Sequence, residues 1–120
     1  MKLMVLMIAA CLTAWPAFAH EMEKGPHGGR VADSGKVHVE LVAKDKAVDV
    51  YLTDKSDKAI AAAGYKGIAI LLVGGKSQRI VLEHAGDNRL TGNANGLISR
   101  PKGAVRLTGP DGVTSQAKFE

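Results

Sequence analysis

The chemistry open to this chain rests on its imidazoles, which are His20, His27, His38 and His84. Two of them, His20 and His27, lie within eight positions of each other with Met22 between them. Imidazole nitrogens suit copper, zinc and nickel, and a thioether sulfur favours Cu(I). The segment around these three residues therefore offers ligands for a borderline or soft metal ion. The same spacing is also compatible with a disordered N-terminal arm that binds no metal.

A second pair of candidate ligands, His38 and Glu40, lies on one predicted strand. Side chains two positions apart on a strand share a face, so both could reach one ion. His27, or His20, would fold back over this strand to complete a metal site. A proline before His27 restricts the backbone, and two glycines after it let the chain turn tightly. Alternatively, His38 and Glu40 only form the exposed polar face of a half-buried strand.

Other residues offer little chemistry. His84 ends a predicted strand and is expected to be a surface turn residue. The serines lack the context of a nucleophile elbow, and Asp54, Asp57 and Asp111 lie in turn-like stretches where aspartate serves the backbone. The only cysteine, Cys11, lies in a segment that we expect to be removed. The sequence therefore predicts a protein without enzymatic activity.

Residues 1–19 are typical of a cleaved export signal. Lys2 supplies the positive start, an apolar stretch follows, and Ala17-Phe18-Ala19 is a suitable cleavage site. Cleavage would place the protein in the periplasm and leave His20 first, with its imidazole and a free α-amine in one chelate. A lipoprotein modified at Cys11 is the alternative interpretation. An uncleaved membrane anchor is not expected, because the apolar run is shorter than the ~20 residues that span a bilayer and Pro16 interrupts it. We expect no membrane span after cleavage.

The length of 120 residues supports one small domain. The formal net charge of +4 comes from scattered basic residues with no interleaved aromatic cluster, which disfavours nucleic-acid binding. We expect a signal peptide over 1–19, a flexible histidine-containing arm over 20–35 and a β-domain over 36–120.

Alternating apolar residues predict that the domain is all-β. Segments 37–42 and 48–52 form the clearest hairpin. Residues 58–63 suit either a helical turn or a loop that crosses between sheets. Further strands are predicted over 67–73, 77–83, 89–92, 104–108 and 113–119. Six or seven short strands predict an antiparallel β-sandwich of immunoglobulin-like plan, with a small Greek-key barrel as the alternative.

Several short motifs carry a resemblance to a known family. They are Gly25-Pro26-His27-Gly28-Gly29, the segments 37–42 and 48–54, Gly74-Gly75-Lys76, and the stretch from Leu82 to Phe119. In these motifs the chain resembles small periplasmic β-domains linked to heavy-metal resistance. They include the metal-binding N-terminal region of the periplasmic adaptor subunits of RND-type heavy-metal efflux pumps. The resemblance implies His27 and His38 as ligands, then Glu40, and an efflux subunit as partner. We expect a free-standing domain, without the long helical hairpin, barrel and membrane-proximal parts of an adaptor.

We therefore expect a periplasmic protein that buffers or delivers copper, zinc, nickel or cobalt. The expected ligands are His20, Met22, His27, His38 and Glu40. Because imidazoles bind metal only when neutral, affinity should weaken as the pH falls through about 6.5. The alternative is an interaction module that docks onto an envelope or efflux partner through a sheet face or an edge strand. The apolar run 68–73 is the obvious candidate for core, yet an exposed part of it could serve as such an edge.

Overall fold

The computed structural model describes residues 24–120. In this part of the chain all regular structure is strand, and no helix has the length and apolar character that crossing a bilayer requires. The eight strands are β1 (Arg30–Asp33), β2 (His38–Lys44), β3 (Ala47–Thr53), β4 (Lys66–Val73), β5 (Lys76–His84), β6 (Arg89–Asn93), β7 (Gly103–Thr108) and β8 (Thr114–Phe119).

The strands form one antiparallel sheet in the order β1-β2-β3-β6-β5-β4-β7-β8. Strand β5 joins the two halves, because most of it pairs with β4 while Glu83 and His84 pair with β6. The first and last strands come to lie beside each other, and the hydroxyls of Ser34 and Ser115 are 3.1 Å apart. The sheet is therefore nearly closed and barrel-like.

This architecture confirms the all-β class and differs from the finer prediction. The strands number eight, whereas six or seven were expected, and one continuous sheet replaces the two sheets of an immunoglobulin-like sandwich. The additional strand is β1, which falls inside the segment 20–35 that the sequence assigned to a flexible arm. Arg30 pairs with Leu41 and Asp33 pairs with His38, so this part of the segment belongs to the sheet.

The core lies inside the nearly closed sheet, and apolar side chains at every second position of β2 and β3 help to fill it. Val39 and Leu41 of β2 and Val48, Val50 and Leu52 of β3 are fully buried. Their neighbours in sequence point outward, as a period of two requires. The outward face of β2 therefore carries His38 and Glu40, two of the predicted site residues.

The apolar run 68–73 lies in β4, and it is not an edge. Strand β4 pairs with β5 on one side and with β7 on the other. Ala69, Leu71 and Val73 are buried, whereas Ile68 and Ile70 are only partly buried and Leu72 is exposed. Half of the run thus forms core, and the other half faces outward.

The connection between β3 and β4 is a loop, which settles the choice left open for residues 58–63. A bridge between Thr53 and Ala59 holds its start. Ala62 is buried, and its N–H donates to the carbonyl of Asp87 at 2.8 Å. The loop crosses from one half of the sheet to the other.

Candidate metal site

A tight turn places His27 over strand β2. The N–H of Gly28 donates to the carbonyl of Gly25 at 3.0 Å, and the N–H of Gly25 donates to the carbonyl of Gly29 at 2.8 Å. Pro26 occupies the second position of the turn, where its fixed φ fits. Gly28 has φ +77°, in the region that favours glycine. The chain therefore reverses at His27 and returns to join β1.

The turn lies directly on β2, and two glycines allow this approach. A Cβ at position 25 would be 2.3 Å from the carboxyl carbon of Glu40. A Cβ at position 29 would be 2.5 Å from the carbonyl oxygen of Leu41. Gly25 and Gly29 thus leave the space that the Glu40 side chain and the β2 backbone occupy.

Glu40 is buried beneath this turn, and its side chain is only 5% exposed. Its Oε2 accepts the backbone N–H groups of His27 and Gly29, both at 2.9 Å. Its Oε1 lies 2.8 Å from Nδ1 of His27. A buried carboxylate costs folding free energy unless N–H donors satisfy it, and here three donors converge on it. Both carboxylate oxygens are therefore used within the fold.

His27 lies at the surface with a defined orientation. Its ring stacks on that of Tyr51, with centroids 3.6 Å apart and planes within 8°. The side chain is 42% exposed. Because a carboxylate accepts hydrogen bonds, the neutral ring carries its proton on Nδ1, which leaves the lone pair on Nε2. A histidine that donates one ring N–H to a carboxylate is the usual arrangement of a metal ligand.

Tyr51 completes the site, although its position in the sequence predicted no role for it. It lies on the outward face of β3, directly opposite Glu40 in the antiparallel register. The aromatic ring supports one face of the His27 imidazole while Glu40 fixes its Nδ1 edge. Together they hold the ring in one position.

His38 shares the outward face of β2 with Glu40 but has different neighbours. Its Nδ1 is 3.3 Å from Oδ1 of Asp57, and its Nε2 is 3.7 Å from Oδ2 of Asp33. Both ring nitrogens therefore face carboxylates. Lys55 also approaches Asp33, at 3.8 Å, so the surroundings of His38 are those of a surface ion-pair network.

The structure brings His27 and Glu40 together and leaves His38 in its own cluster. Within residues 24–120, no group of three or more histidine, cysteine, aspartate or glutamate side chains is placed to hold a metal ion. His84 is exposed at the end of β5, as expected for a surface residue. The predicted ligands His20 and Met22 lie outside the described residues. Of the predicted ligands that lie within residues 24–120, only His27 is oriented by a buried carboxylate.

Comparisons with protein families, with characterised proteins and with solved structures found no match to this chain.

Proposed function

We propose that the exported chain is a periplasmic metal-binding protein without enzymatic activity. It buffers a copper, zinc, nickel or cobalt ion, or delivers the ion to a heavy-metal efflux subunit. One observation carries this proposal: the Nδ1 edge of His27 is bound to a buried carboxylate, and a stacked tyrosine supports its ring. This arrangement leaves Nε2 free on a fixed ring, as in a histidine that binds a metal ion.

In this proposal Glu40 acts as a positioning residue, although the sequence analysis placed it among the ligands. Its two oxygens already accept three N–H groups, and its side chain is almost inaccessible. It would act through His27 by fixing the tautomer and by raising the basicity of Nε2. The ion would then bind on the outward side of the imidazole.

We propose that the ion takes its further ligands from residues that the sequence predicts. His20, with its free α-amine, and Met22 precede His27 by only a few residues. A fixed imidazole joined by ligands from the N-terminal segment makes a more open site than a closed four-ligand structural site. Such a site would exchange its ion readily, which suits delivery. His38 is the weaker candidate because Asp33 and Asp57 face its ring nitrogens.

The proposal is tested by calorimetric titration of the exported protein with Cu(II), Zn(II), Ni(II) and Co(II) near pH 7. Mass spectrometry first establishes whether its chain begins at His20. We expect one tight and selective site, weakened at least roughly tenfold by His27→Ala. The matched control is His84→Ala, which removes another exposed histidine. Equal weak binding of all four ions, or unchanged affinity in His27→Ala, would overturn the proposal.

A second candidate function is that of an interaction module, and the outward half of β4 favours it. Leu72 and neighbouring aliphatic side chains remain exposed although the strand is paired on both sides. This role is compatible with metal delivery, because a carrier must meet a recipient.

A further inference from the structure

An aliphatic patch with a cationic border covers the outward side of β4 and its neighbours. We call this surface the β4 face. It comprises Ile68, Ile70 and Leu72 of β4, Arg79 and Val81 of β5, Ala104 and Arg106 of β7, and Lys118 of β8.

The antiparallel register makes the aliphatic part contiguous. Ile68 lies opposite Val81 on β5, and Ile70 lies opposite Ala104 on β7. Val81 is 62% exposed and Leu72 is 48% exposed. Scattered apolar residues are normal on a protein surface, whereas contiguous patches mark sites of interaction. The inward positions of β4 already supply the core, so these outward residues are not required to fill it.

The same register places three cations beside the aliphatic residues. Arg79 lies opposite Ile70, Arg106 lies opposite Ile68, and Lys118 lies opposite Ala104. None of the three cations forms an ion pair with another residue of the described part of the chain. Glu83 follows Val81 by two positions on the same outward side of β5, so one acidic residue borders the face at the end where β6 takes over the pairing.

A partner would contact the side chains of this face and would not add a strand. The backbone of β4 is hydrogen-bonded on both sides, and β1 and β8 lie beside each other across the seam. β-Augmentation needs an unpaired edge, which β4 does not offer.

We propose that the β4 face binds a protein whose contacting surface is acidic around an aliphatic centre. Charge complementarity carries the choice of partner, since opposite charges steer association and like charges suppress it. A second copy of this chain would oppose Arg79, Arg106 and Lys118 to the same three cations. A bilayer surface is less well matched, because the face lacks the tryptophan and tyrosine side chains that anchor proteins at membrane interfaces.

The β4 face is separate from the candidate metal site, and both could be occupied at the same time. Strand β2 is four strands from β4 in either direction around the nearly closed sheet. The two outward faces therefore lie on opposite sides of the barrel. A protein bound to the β4 face would leave His27 open to exchange its ion.

The test uses two synthetic octapeptides, one alternating Glu with Leu and one alternating Lys with Leu, titrated into the isotopically labelled exported protein. We expect the acidic peptide to shift the amide NMR signals of the β4 face, with saturation, and the basic peptide to leave them unchanged. The double variant Arg79→Glu with Arg106→Glu should bind the acidic peptide at least tenfold more weakly. The matched control, Lys36→Glu with Lys44→Glu, changes the net charge equally at exposed positions near β2 and should retain full affinity.

Several outcomes would overturn the proposal. They are failure of the acidic peptide to bind at millimolar concentration, shifts spread over other faces, and equal weakening in the Lys36 and Lys44 control. Binding of phosphatidylglycerol vesicles in place of the peptide would assign the face to a membrane. A concentration-dependent dimer in size-exclusion chromatography, lost in the double variant, would assign it to self-association. None of these results depends on metal binding, so the two proposals can fail separately.

Discussion

The Nδ1 atom of His27 lies 2.8 Å from the buried carboxylate of Glu40. The same carboxylate accepts the backbone N–H of His27, so one acidic side chain fixes both the ring and the main chain of that residue. The turn from Gly25 to Gly29 is thereby attached to β2 by polar contacts as well as by close packing. The orientation of the imidazole is consequently a property of the folded domain.

Substitution of Glu40 by glutamine should impair metal binding without removing a ligand. The amide NH2 of glutamine would donate to Nδ1 of His27 and shift the ring proton to Nε2, where it blocks the lone pair. We expect roughly a 10- to 100-fold loss of affinity, the usual cost of losing such a support. Calorimetry measures the affinity, and ¹⁵N NMR of the imidazole reports the tautomer.

Glu83→Gln is the control for this change, because it removes an exposed carboxylate from β5. It should leave both the affinity and the His27 tautomer unchanged. If Glu40→Gln bound metal as tightly as the native protein, Glu40 would have no positioning role.

A methyl group at position 25 should disrupt the turn. In Gly25→Ala the new Cβ would meet the carboxyl of Glu40 at 2.3 Å, and that side chain has three hydrogen bonds to lose. We expect a loss of about 1–3 kcal/mol in the free energy of unfolding, together with loss of the His27–Tyr51 stacking. Urea unfolding and the ring-proton chemical shifts of Tyr51 measure the two effects.

Gly28→Ala separates this clash from simple backbone strain. No atom lies within 4 Å of a Cβ at position 28, but φ there is +77°. The cost should be about 1–2 kcal/mol from the left-handed conformation alone, with the stacking retained. Loss of the stacking in both variants would contradict this distinction.

The sequence predicted the hairpin of β2 and β3 because its signal is local. Apolar residues recur at every second position of each strand, and a short turn at Asp45 and Lys46 joins them. The pairings of β3 with β6 and of β4 with β7 connect residues far apart in the chain, and alternation carries no information about such partners. Strand β1 has only four residues, too few to display a period. The order of the strands in the nearly closed sheet could therefore not be predicted from the sequence.

The candidate site was predictable in part. The proline and glycines around His27 indicated that this residue could fold back over β2, and the structure shows that it does. The pairing of Glu40 with Tyr51 was also accessible, because counting back from a two-residue turn at Asp45 and Lys46 places them opposite each other. The burial of Glu40 could not be predicted, because it depends on the turn that covers this side chain.

Tyr51 should contribute to the order of the site through its ring, and its hydroxyl should be dispensable. Tyr51→Phe retains the stacked face and should bind metal like the native protein. Tyr51→Leu removes the aromatic face, which is worth about 0.5–1.5 kcal/mol in a stacked pair, and should broaden the His27 ring signals. NMR linewidths and thermal unfolding measure the effect. Equal behaviour of the two variants would show that the stacking has no role.

Asp54 should stabilise the loop after β3 in a pH-dependent manner. Hydrogen bonds from the backbone N–H groups of Lys58 and then Ser56 hold the pKa of its carboxyl below the ordinary value of 3.8. Because the folded-state pKa is the lower one, the stabilisation is fully present above pH 3.8 and is lost as the pH falls through the folded-state pKa. At neutral pH, Asp54→Ala should speed hydrogen exchange at the amides of Ser56 and Lys58.

The difference in amide hydrogen exchange between the native protein and Asp54→Ala should shrink as the pH falls below 3.8. Protonation then removes the charge of the carboxylate that accepts these hydrogen bonds. Asp111→Ala is a suitable control, because its carboxylate accepts the N–H of Val113 in a separate turn. That variant should leave exchange at Ser56 and Lys58 unchanged at every pH. If the difference in hydrogen exchange between Asp54→Ala and the native protein stayed constant from pH 7 to pH 2, the carboxylate charge would not be what orders the loop.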